Sequence, residues 1–210
     1  MAFTPVSVLN SSGASTPMGS FQDAAGNNIP LSGLDSSRAY YRASASFVPV
    51  TASALTLIQV QGSATKTVRI TRVTMSGSAA TAIATMVAYT QRTSTAGVTG
   101  TAVNPTIAKL DTASAAATAV VTHYTTAAQT VGTLIGGPIS FFQMLLTITA
   151  IPTVTFSPMQ TVFPEGGAPI GQAIVLRGAA EYFNVVNSAP ASFANAPVLQ
   201  YTVEWIEDGS

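Results

Sequence analysis

The chain contains no cysteine and a single histidine, His123. Without cysteine there is no disulfide, no thiolate metal ligand and no thiol nucleophile, so its stability has to come from packing or from assembly with other subunits. One histidine without cysteine also argues against a zinc site. No Gly-x-Ser-x-Gly elbow accompanies His123, so we interpret it as a structural or surface residue rather than a catalytic base.

Charged residues are also scarce, with 8 Lys and Arg and 8 Asp and Glu among 210 residues. An active site needs several titratable groups that converge in a cleft, and a nucleic-acid binder needs a surplus of basic residues to neutralise phosphates. We therefore expect no enzyme activity, no cofactor and no nucleic-acid partner. The surface must be covered by small neutral residues, which suits permanent contact with other proteins.

Long hydrophobic runs are missing as well. The strongest run, from Phe141 to Ile151, is interrupted by Gln143, Thr147 and Thr149 and is too short for a transmembrane helix. The first residues lack the basic segment and continuous apolar segment of a secretory signal. These features predict synthesis in a cytoplasm and no membrane partner.

The few charges are sorted along the chain. Every base except Arg177 lies within residues 36–110, where there is no acid, and most of the acids lie within residues 111–210. Two interpretations are open. Strands from the two parts pair so that the charges meet within one subunit, or a basic face of one copy meets an acidic face of the next copy.

Residues 1–42 differ from the rest because turn-forming residues recur every few positions and no hydrophobic period is sustained. We interpret them as an extended N-terminal arm that precedes a domain of residues 43–210. Such an arm either stays disordered in isolation, since it buries little apolar surface, or docks into a neighbouring subunit. The residues expected to dock are Phe3, Val6, Val8 and Leu9.

From residue 43 onward the chain is a series of short segments rich in β-branched and aromatic residues, separated by turn formers. The predicted strands are Phe47–Val50, Leu55–Gln61, Lys66–Ser76, Ala82–Gln91, Ala119–Thr125, Ile139–Thr149, Thr153–Phe156, Ala173–Arg177, Glu181–Asn187 and Val198–Ile206. Residues 113–119 are expected to form a loop or a single helical turn, and 92–105 a long exposed loop. About ten strands without an amphipathic helix predict an all-β sandwich or barrel.

Two strand patterns are specific enough to test. Apolar residues occupy every second position from Leu199 to Trp205, which predicts a half-buried strand. Between Lys66 and Ser76 the apolar positions shift by one residue across Thr71 and Arg72. A β-bulge at this point would return the later residues to the same face.

Three acids, Glu204, Glu207 and Asp208, are close together near the C-terminus. Carboxylates of this kind bind hard cations such as Ca²⁺. No loop with acids at alternate positions is present, so a solvated tail is the favoured interpretation and we expect no metal site.

Several segments resemble a family of small tailed-bacteriophage virion proteins. These segments are 62–77 (GSATKTVRITRVTMSG), 92–94 (RTS), 169–178, 181–184 (EYFN) and 201–207 (YTVEWIE), and the resemblance covers roughly residues 40–207. It implies a jelly-roll or related β-sandwich that works as a structural part of the particle, such as a capsid cement or decoration protein, often a homotrimer. The implied partners are further copies of the chain and the major capsid protein or another virion protein, and the implied location is the virion.

The leading hypothesis is thus a non-enzymatic virion protein that stabilises a capsid through neutral apolar interfaces and its arm. Its predicted subunit and capsid contacts are Phe3, Val6, Val8, Leu9, Tyr40, Tyr41, Arg42 and Arg72. The alternative is a receptor- or carbohydrate-binding sandwich module of a phage tail or head fibre. Such sites expose aromatic platforms, for which the candidates are Tyr40, Tyr41, Tyr182 and Trp205.

Overall fold

The computed structural model of the chain describes residues 6–9, 15–18, 20–22, 28–30, 39–49, 56–79, 84–97, 101–126, 131–148, 160–163, 173–188 and 197–209. The chain divides into two compact units, Met1–Ser37 and Arg38–Ser210. In the first unit, β1 (Val6–Leu9) pairs with β2 (Ser15–Met18), and β3 (Ser20–Gln22) pairs with β4 (Asn28–Pro30), both antiparallel. The predicted strand at 153–156 lies outside the described residues.

The second unit is built from strands, and its described residues contain no helix. Its strands are β5 (Ala39–Phe47), β6 (Thr56–Gln61), β7 (Lys66–Ala79), β8 (Ala84–Thr93), β9 (Thr101–Val103), β10 (Ile107–Lys109), β11 (Val120–Thr126), β12 (Ser140–Ile148), β13 (Gln160–Phe163), β14 (Ile174–Arg177), β15 (Tyr182–Asn187) and β16 (Val198–Gly209). Most of the predicted strands are thereby confirmed. The prediction at 47–50 is wrong, because β5 ends at Phe47 and begins at Ala39, within the predicted arm.

Eight strand positions form two antiparallel sheets. One sheet has the order β5–β16–β7, with β13 and β14 on the other side of β7, and the second has the order β12–β8–β15–β6. The first of these strands thus pairs with the last, the second with the second-last, and so on inward to β8 and β12. This nested order is that of a jelly roll, and it confirms the predicted all-β sandwich.

The pieces β13 and β14 share one strand position along β7. β13 pairs with Val73–Met75, and β14 pairs with the preceding part, Thr67–Ile70. A short parallel contact between β12 and β7, at Ile148 and Ala79, joins the two sheets.

The connection between β8 and β12 adds three strands on one flank of the sandwich. β10 pairs with β5 and extends the first sheet, whereas β11 pairs with β6 and β9 pairs with β11, which extends the second. The predicted exposed loop at 92–105 therefore contains β9. Residues 113–119 contain no helix, as the loop prediction required: a turn closed by the amide of Ser114 and the carbonyl of Asp111, 3.1 Å apart, leads into β11.

The core lies between the two sheets and follows from the alternation of the strands. Leu199, Tyr201, Val203 and Trp205 of β16 are all buried, which confirms the predicted half-buried strand. The bulge is confirmed too. Arg72 lies opposite Glu204 whereas Ile70 lies opposite Trp205, so Thr71 is the additional residue of β7. As a result Val68, Ile70, Val73 and Met75 are all fully buried.

In the part of the chain that the structure describes, there is no helix with the length and hydrophobicity to cross a membrane.

Candidate functional site

Most of the charged side chains that the structure describes in the sandwich form ion pairs with one another. Each ion pair between described residues joins a base from 36–110 to an acid from 111–210, which confirms that the sorted charges meet within one subunit. The pairs are Arg42–Glu204, Arg72–Glu204, Arg69–Asp208, Lys66–Glu207 and Arg92–Glu181. The acids Glu204, Glu207 and Asp208 therefore do not form a solvated tail, because β16 continues through all three.

Two predicted contact residues, Arg42 and Arg72, lie on either side of Glu204 on the outer face of the first sheet. Arg42 donates hydrogen bonds from Nε and Nη2 to Oε1 of Glu204, and Nη1 of Arg72 lies 3.9 Å from Oε2. The side chains of Arg42 and Arg72 are 46% and 36% exposed. With this exposure, both arginines are accessible from solvent. Ion pairs with this much solvent access contribute little to stability.

A third predicted contact residue, Tyr41, is fully buried. Its ring stacks on Trp205 with centroids 5.7 Å apart, and its hydroxyl donates to the carbonyl of Ala115 at 3.0 Å. Burial, and then the nearby charge of Glu207, raises the pKa of Tyr41. Neither Tyr41 nor Trp205 offers a ring face to a partner or a sugar, because alternation along β5 and β16 turns both into the core.

The remaining aromatic candidates, Tyr40 and Tyr182, are half-buried. Phe3 lies outside the described residues. The structure describes only the backbone of β1, so the predicted contacts of Val6, Val8 and Leu9 also lie outside what it describes.

Glu207 is a buried carboxylate at one end of the sandwich. Its oxygens accept hydrogen bonds from the amides of Thr118 and Ala119 and from the Thr118 hydroxyl, at 2.7–3.0 Å. The indole Nε1 of Trp205 donates a further bond at 3.1 Å, and Nζ of Lys66 lies 3.8 Å away. The carboxylate thus attaches the segment before β11 to the last strand.

Burial of the Glu207 carboxyl raises its pKa, but the hydrogen bonds from Ala119, Thr118 and Trp205 together outweigh this effect and lower the pKa below its ordinary value of 4.5. Glu207 is therefore ionised in the fold at neutral pH. Both of its oxygens accept hydrogen bonds from within the subunit, which indicates a structural role. Within the described residues, no three His, Asp or Glu side chains are grouped so that they could hold a metal ion.

His123 is buried between the sheets, which confirms its structural interpretation. Its Nδ1 lies 3.0 Å from the hydroxyl of Tyr201, and its ring packs on Phe47 with centroids 4.9 Å apart. Burial lowers the pKa of the imidazole, so the neutral form is favoured. Burial also raises the pKa of Tyr201, so the uncharged form of both groups is favoured.

Buried amides cross-link the second sheet. The Tyr124 hydroxyl donates to Gln59, Gln59 donates to Asn184 at 2.8 Å, and Asn184 donates to the Thr93 hydroxyl at 2.9 Å. The four residues belong to β11, β6, β15 and β8, which are adjacent strands in that order. Hydrogen bonds of this kind hold strand register rather than a ligand, because their donors and acceptors satisfy each other.

An apolar strip lies on the outer face of β8 and β12. We define it as Ile139, Phe141 and Leu145 with Val87 and Tyr89 of the neighbouring strand. Phe141 is 69% exposed, Leu145 52% and Ile139 42%. The rings of Phe141 and Tyr89, which are opposite each other in the register, have centroids 5.6 Å apart. Solvent-exposed apolar residues in such a row mark an interaction surface rather than scattered surface hydrophobics.

The exposure of the strip is not apparent from the sequence, because both faces of β12 are apolar. Phe142, Met144 and Leu146 are buried in the core, so the run is typical of a strand covered on both sides. One feature of the sequence does indicate an uncharged surface here: between Asp111 and Glu165 there is no Asp, Glu, Lys or Arg.

The chain matches no protein-family model, no curated protein and no solved structure.

Proposed function

We propose that this chain is a non-enzymatic structural subunit of a tailed-bacteriophage virion, of the capsid cement or decoration kind. The observation that carries the proposal is the division of the surface chemistry. Most of the ionic side chains that the structure describes are paired within the subunit, whereas Phe141, Leu145 and Ile139 remain 69%, 52% and 42% exposed.

This division favours permanent assembly over transient binding. Covering an uncharged apolar surface requires no desolvation of ionic groups, so an interface of this type closes at little cost and stays closed. Transient partners are more often selected and steered by unpaired charges, and here most of the described charged groups have ionic partners within the chain. The two arginines beside Glu204 lie on the other sheet, where they offer polar contacts to a second surface.

The state of the titratable groups supports a role without catalysis. His123 is enclosed with Tyr201 and Phe47, and the Glu207 carboxylate accepts hydrogen bonds from Thr118, Ala119 and Trp205. An active site instead aims such groups at a cavity where a substrate can reach them.

The fold and the resemblance support the virion setting. Jelly rolls occur in viral capsid proteins, but also in lectins, so the fold alone does not decide the function. The longest segment that resembles phage virion proteins, 62–77, forms most of β7 and the turn before it, in the interior of the first sheet.

The proposal is tested on particles produced by the genome that encodes the chain. Mass spectrometry of gradient-purified particles is expected to find the chain in a fixed ratio to the major capsid protein. Particles that lack it, made by deleting its gene, should lose their contents at a lower temperature, and adding the purified chain should restore the wild-type temperature. Absence of the chain from purified particles would overturn the proposal, as would unchanged heat resistance of the deleted particles.

A glycan array provides the comparison with a carbohydrate-binding module. Binding that disappears in the Tyr40→Ala and Tyr182→Ala variants would favour the module over the cement protein. Tyr41 and Trp205 are unsuitable for this comparison because both are buried and their substitution would disturb the core.

A further inference from the structure

The two outer faces of the sandwich differ in chemistry. The outer face of the first sheet carries Arg42, Arg69 and Arg72 with their acidic partners Glu204 and Asp208. The outer face of β8 and β12 carries the apolar strip, and the positions between its members, Thr85 and Gln143, are uncharged. One face is therefore suited to water and the other to a protein surface without charge.

We propose that the apolar strip binds the same strip of a second copy of this chain. The inference rests on the proposed function in one respect, namely that the chain works in an assembly, and it names the partner of this surface. It also assigns the strip to contact between copies, which leaves the opposite, charged face for the particle or for solvent.

The absence of charge favours a second copy as the occupant. Two identical surfaces that carried charge would repel each other, whereas two uncharged strips meet without that penalty. A different protein would need polar groups to be recognised among competitors, and Gln143 and Thr85 are the polar side chains that the two strands offer here.

The geometry of a sheet face also suits contact with a second copy of the chain. Sheet faces pack on one another at a separation of about 10 Å with interdigitating side chains, as the two sheets of one sandwich do. Phe141 and Tyr89 already form an aromatic pair, and a facing copy would bring a second pair within the range of offset or edge contacts.

The area of the strip predicts a contact that is weak in isolation. A fully covered aromatic side chain buries about 150–250 Å², so these partly exposed residues offer on the order of 300–400 Å² per copy. A stable pair usually buries about 800 Å² on each partner. The strip alone therefore supports concentration-dependent association, which becomes permanent where a particle holds the copies together.

The test is the oligomeric state of the purified full chain, measured by sedimentation equilibrium without particles. The wild type is expected to associate as its concentration rises. Phe141→Glu places a charge in the strip and should weaken association by at least about tenfold. Leu110→Glu is the matched control, because Leu110 is also 53% exposed but lies outside the strip. Trp205 fluorescence verifies that each variant is folded.

A charge-complementation experiment tests whether the strip meets itself. Phe141→Glu and Phe141→Lys should each associate at least about tenfold more weakly than the wild type. An equimolar mixture should associate more strongly than either variant alone, because opposite charges then meet across the two strips. Association of Phe141→Glu at wild-type strength would overturn the inference, and so would a mixture that stays monomeric while the wild type associates. A wild type that stays monomeric would also overturn the inference, even if its strip bound lipid vesicles or an unrelated protein.

Failure of this inference is distinguishable from failure of the proposed function. A wild-type chain that is monomeric in solution but is found in the purified particles and restores their heat resistance would remove the strip contact and keep the virion role. A chain that associates through Phe141 but is absent from purified particles would remove the virion role and leave the contact between copies.

Discussion

The hydroxyl of Thr71 donates a hydrogen bond to the backbone carbonyl of Glu204, 3.1 Å away, at the point where β7 carries one residue more than β16. A bulge disrupts the ladder of backbone hydrogen bonds locally, and the Thr71 side chain adds a hydrogen bond to the opposite strand at this point. The additional residue also keeps Ile70 and Val73 on the core side, so that Arg69 and Arg72 both point outward to their acidic partners.

Deletion of Thr71 is expected to abolish cooperative folding. Without the additional residue, the apolar residues on one side of position 71 would turn to solvent, because a shift of one residue reverses every side chain in a strand. Unfolding in urea, followed by the fluorescence of Trp205, should lose its sigmoidal transition. Thr71→Ser keeps both the chain length and the hydroxyl, and its midpoint should stay close to that of the wild type. A deletion variant that unfolds cooperatively would show that the register of β7 does not depend on the bulge.

The bulge and most strands could be predicted from the sequence because their causes are local. Periodicity, β-branched residues and turn formers act over a few positions, so the shift in apolar spacing between Ile70 and Val73 is visible in the chain itself. The surroundings of Glu207 have a different origin. Its donors Thr118 and Ala119 are 89 and 88 residues away in sequence, and nothing near Glu207 indicates them.

The burial of Tyr41 also depends on residues that are distant in sequence. It lies between Tyr40 and Arg42 in a segment that has the turn-rich neighbours of an arm, and its burial depends on pairing between β5 and β16. One signal for Glu207 was present, since the alternation from Leu199 to Trp205 places position 207 on the core side. A charged residue on the core side of a strand needs buried hydrogen-bond partners, so the alternation in the sequence predicts that Glu207 has them.

Glu207→Gln is expected to destabilise the protein by about 2–3 kcal/mol, since an amide accepts through one oxygen and leaves buried donors without a partner. Chemical denaturation followed by Trp205 fluorescence measures the change. Glu204→Gln is the matched control: it makes the same substitution three residues earlier in β16, in an exposed ion pair, and should change stability by less than about 1 kcal/mol. Equal effects of the two substitutions would contradict the structural role of the buried carboxylate.

A pH series that compares Glu207→Gln with the wild type isolates the contribution of the Glu207 carboxylate. The folded pKa of Glu207 is lowered, so the unfolded chain binds the proton more readily and the stabilising contribution is present above the ordinary value of 4.5. That contribution is lost as the pH falls through the folded pKa. The loss of stability below pH 4.5 should therefore be shallower in Glu207→Gln than in the wild type.

His123 is expected to stay neutral at a pH where an exposed histidine is charged. Its burial lowers the pKa from the ordinary value of 6.5, and because the unfolded chain then binds the proton more readily, stability falls as the pH drops below that value. The chain has one histidine, so a single imidazole signal in an NMR titration reports the midpoint. A midpoint at or above 6.5 would show that the ring is solvated and not enclosed by Phe47 and Tyr201.

Gly62→Ala is expected to destabilise the sandwich by about 1–3 kcal/mol, the usual range for an atom forced into a packed interior. A Cβ at Gly62 would lie 2.5 Å from the carbonyl oxygen of Gly178 and 3.0 Å from Cβ of Leu176. Neither atom moves easily, because Leu176 is buried and the Gly62 amide also donates to the Glu181 carbonyl at 2.9 Å. The change is measured by urea denaturation.

Gly137→Ala is the control for this close approach, since no atom lies within 4 Å of the Cβ it would add. Its backbone does not require a positive φ, so the alanine should be neutral or slightly stabilising through the lower entropy of the unfolded chain. The two alanine variants should therefore differ in urea midpoint, with only Gly62→Ala shifted downward. If both variants unfold at the wild-type midpoint, the turn after β14 does not pack against the end of β6 as the structure has it.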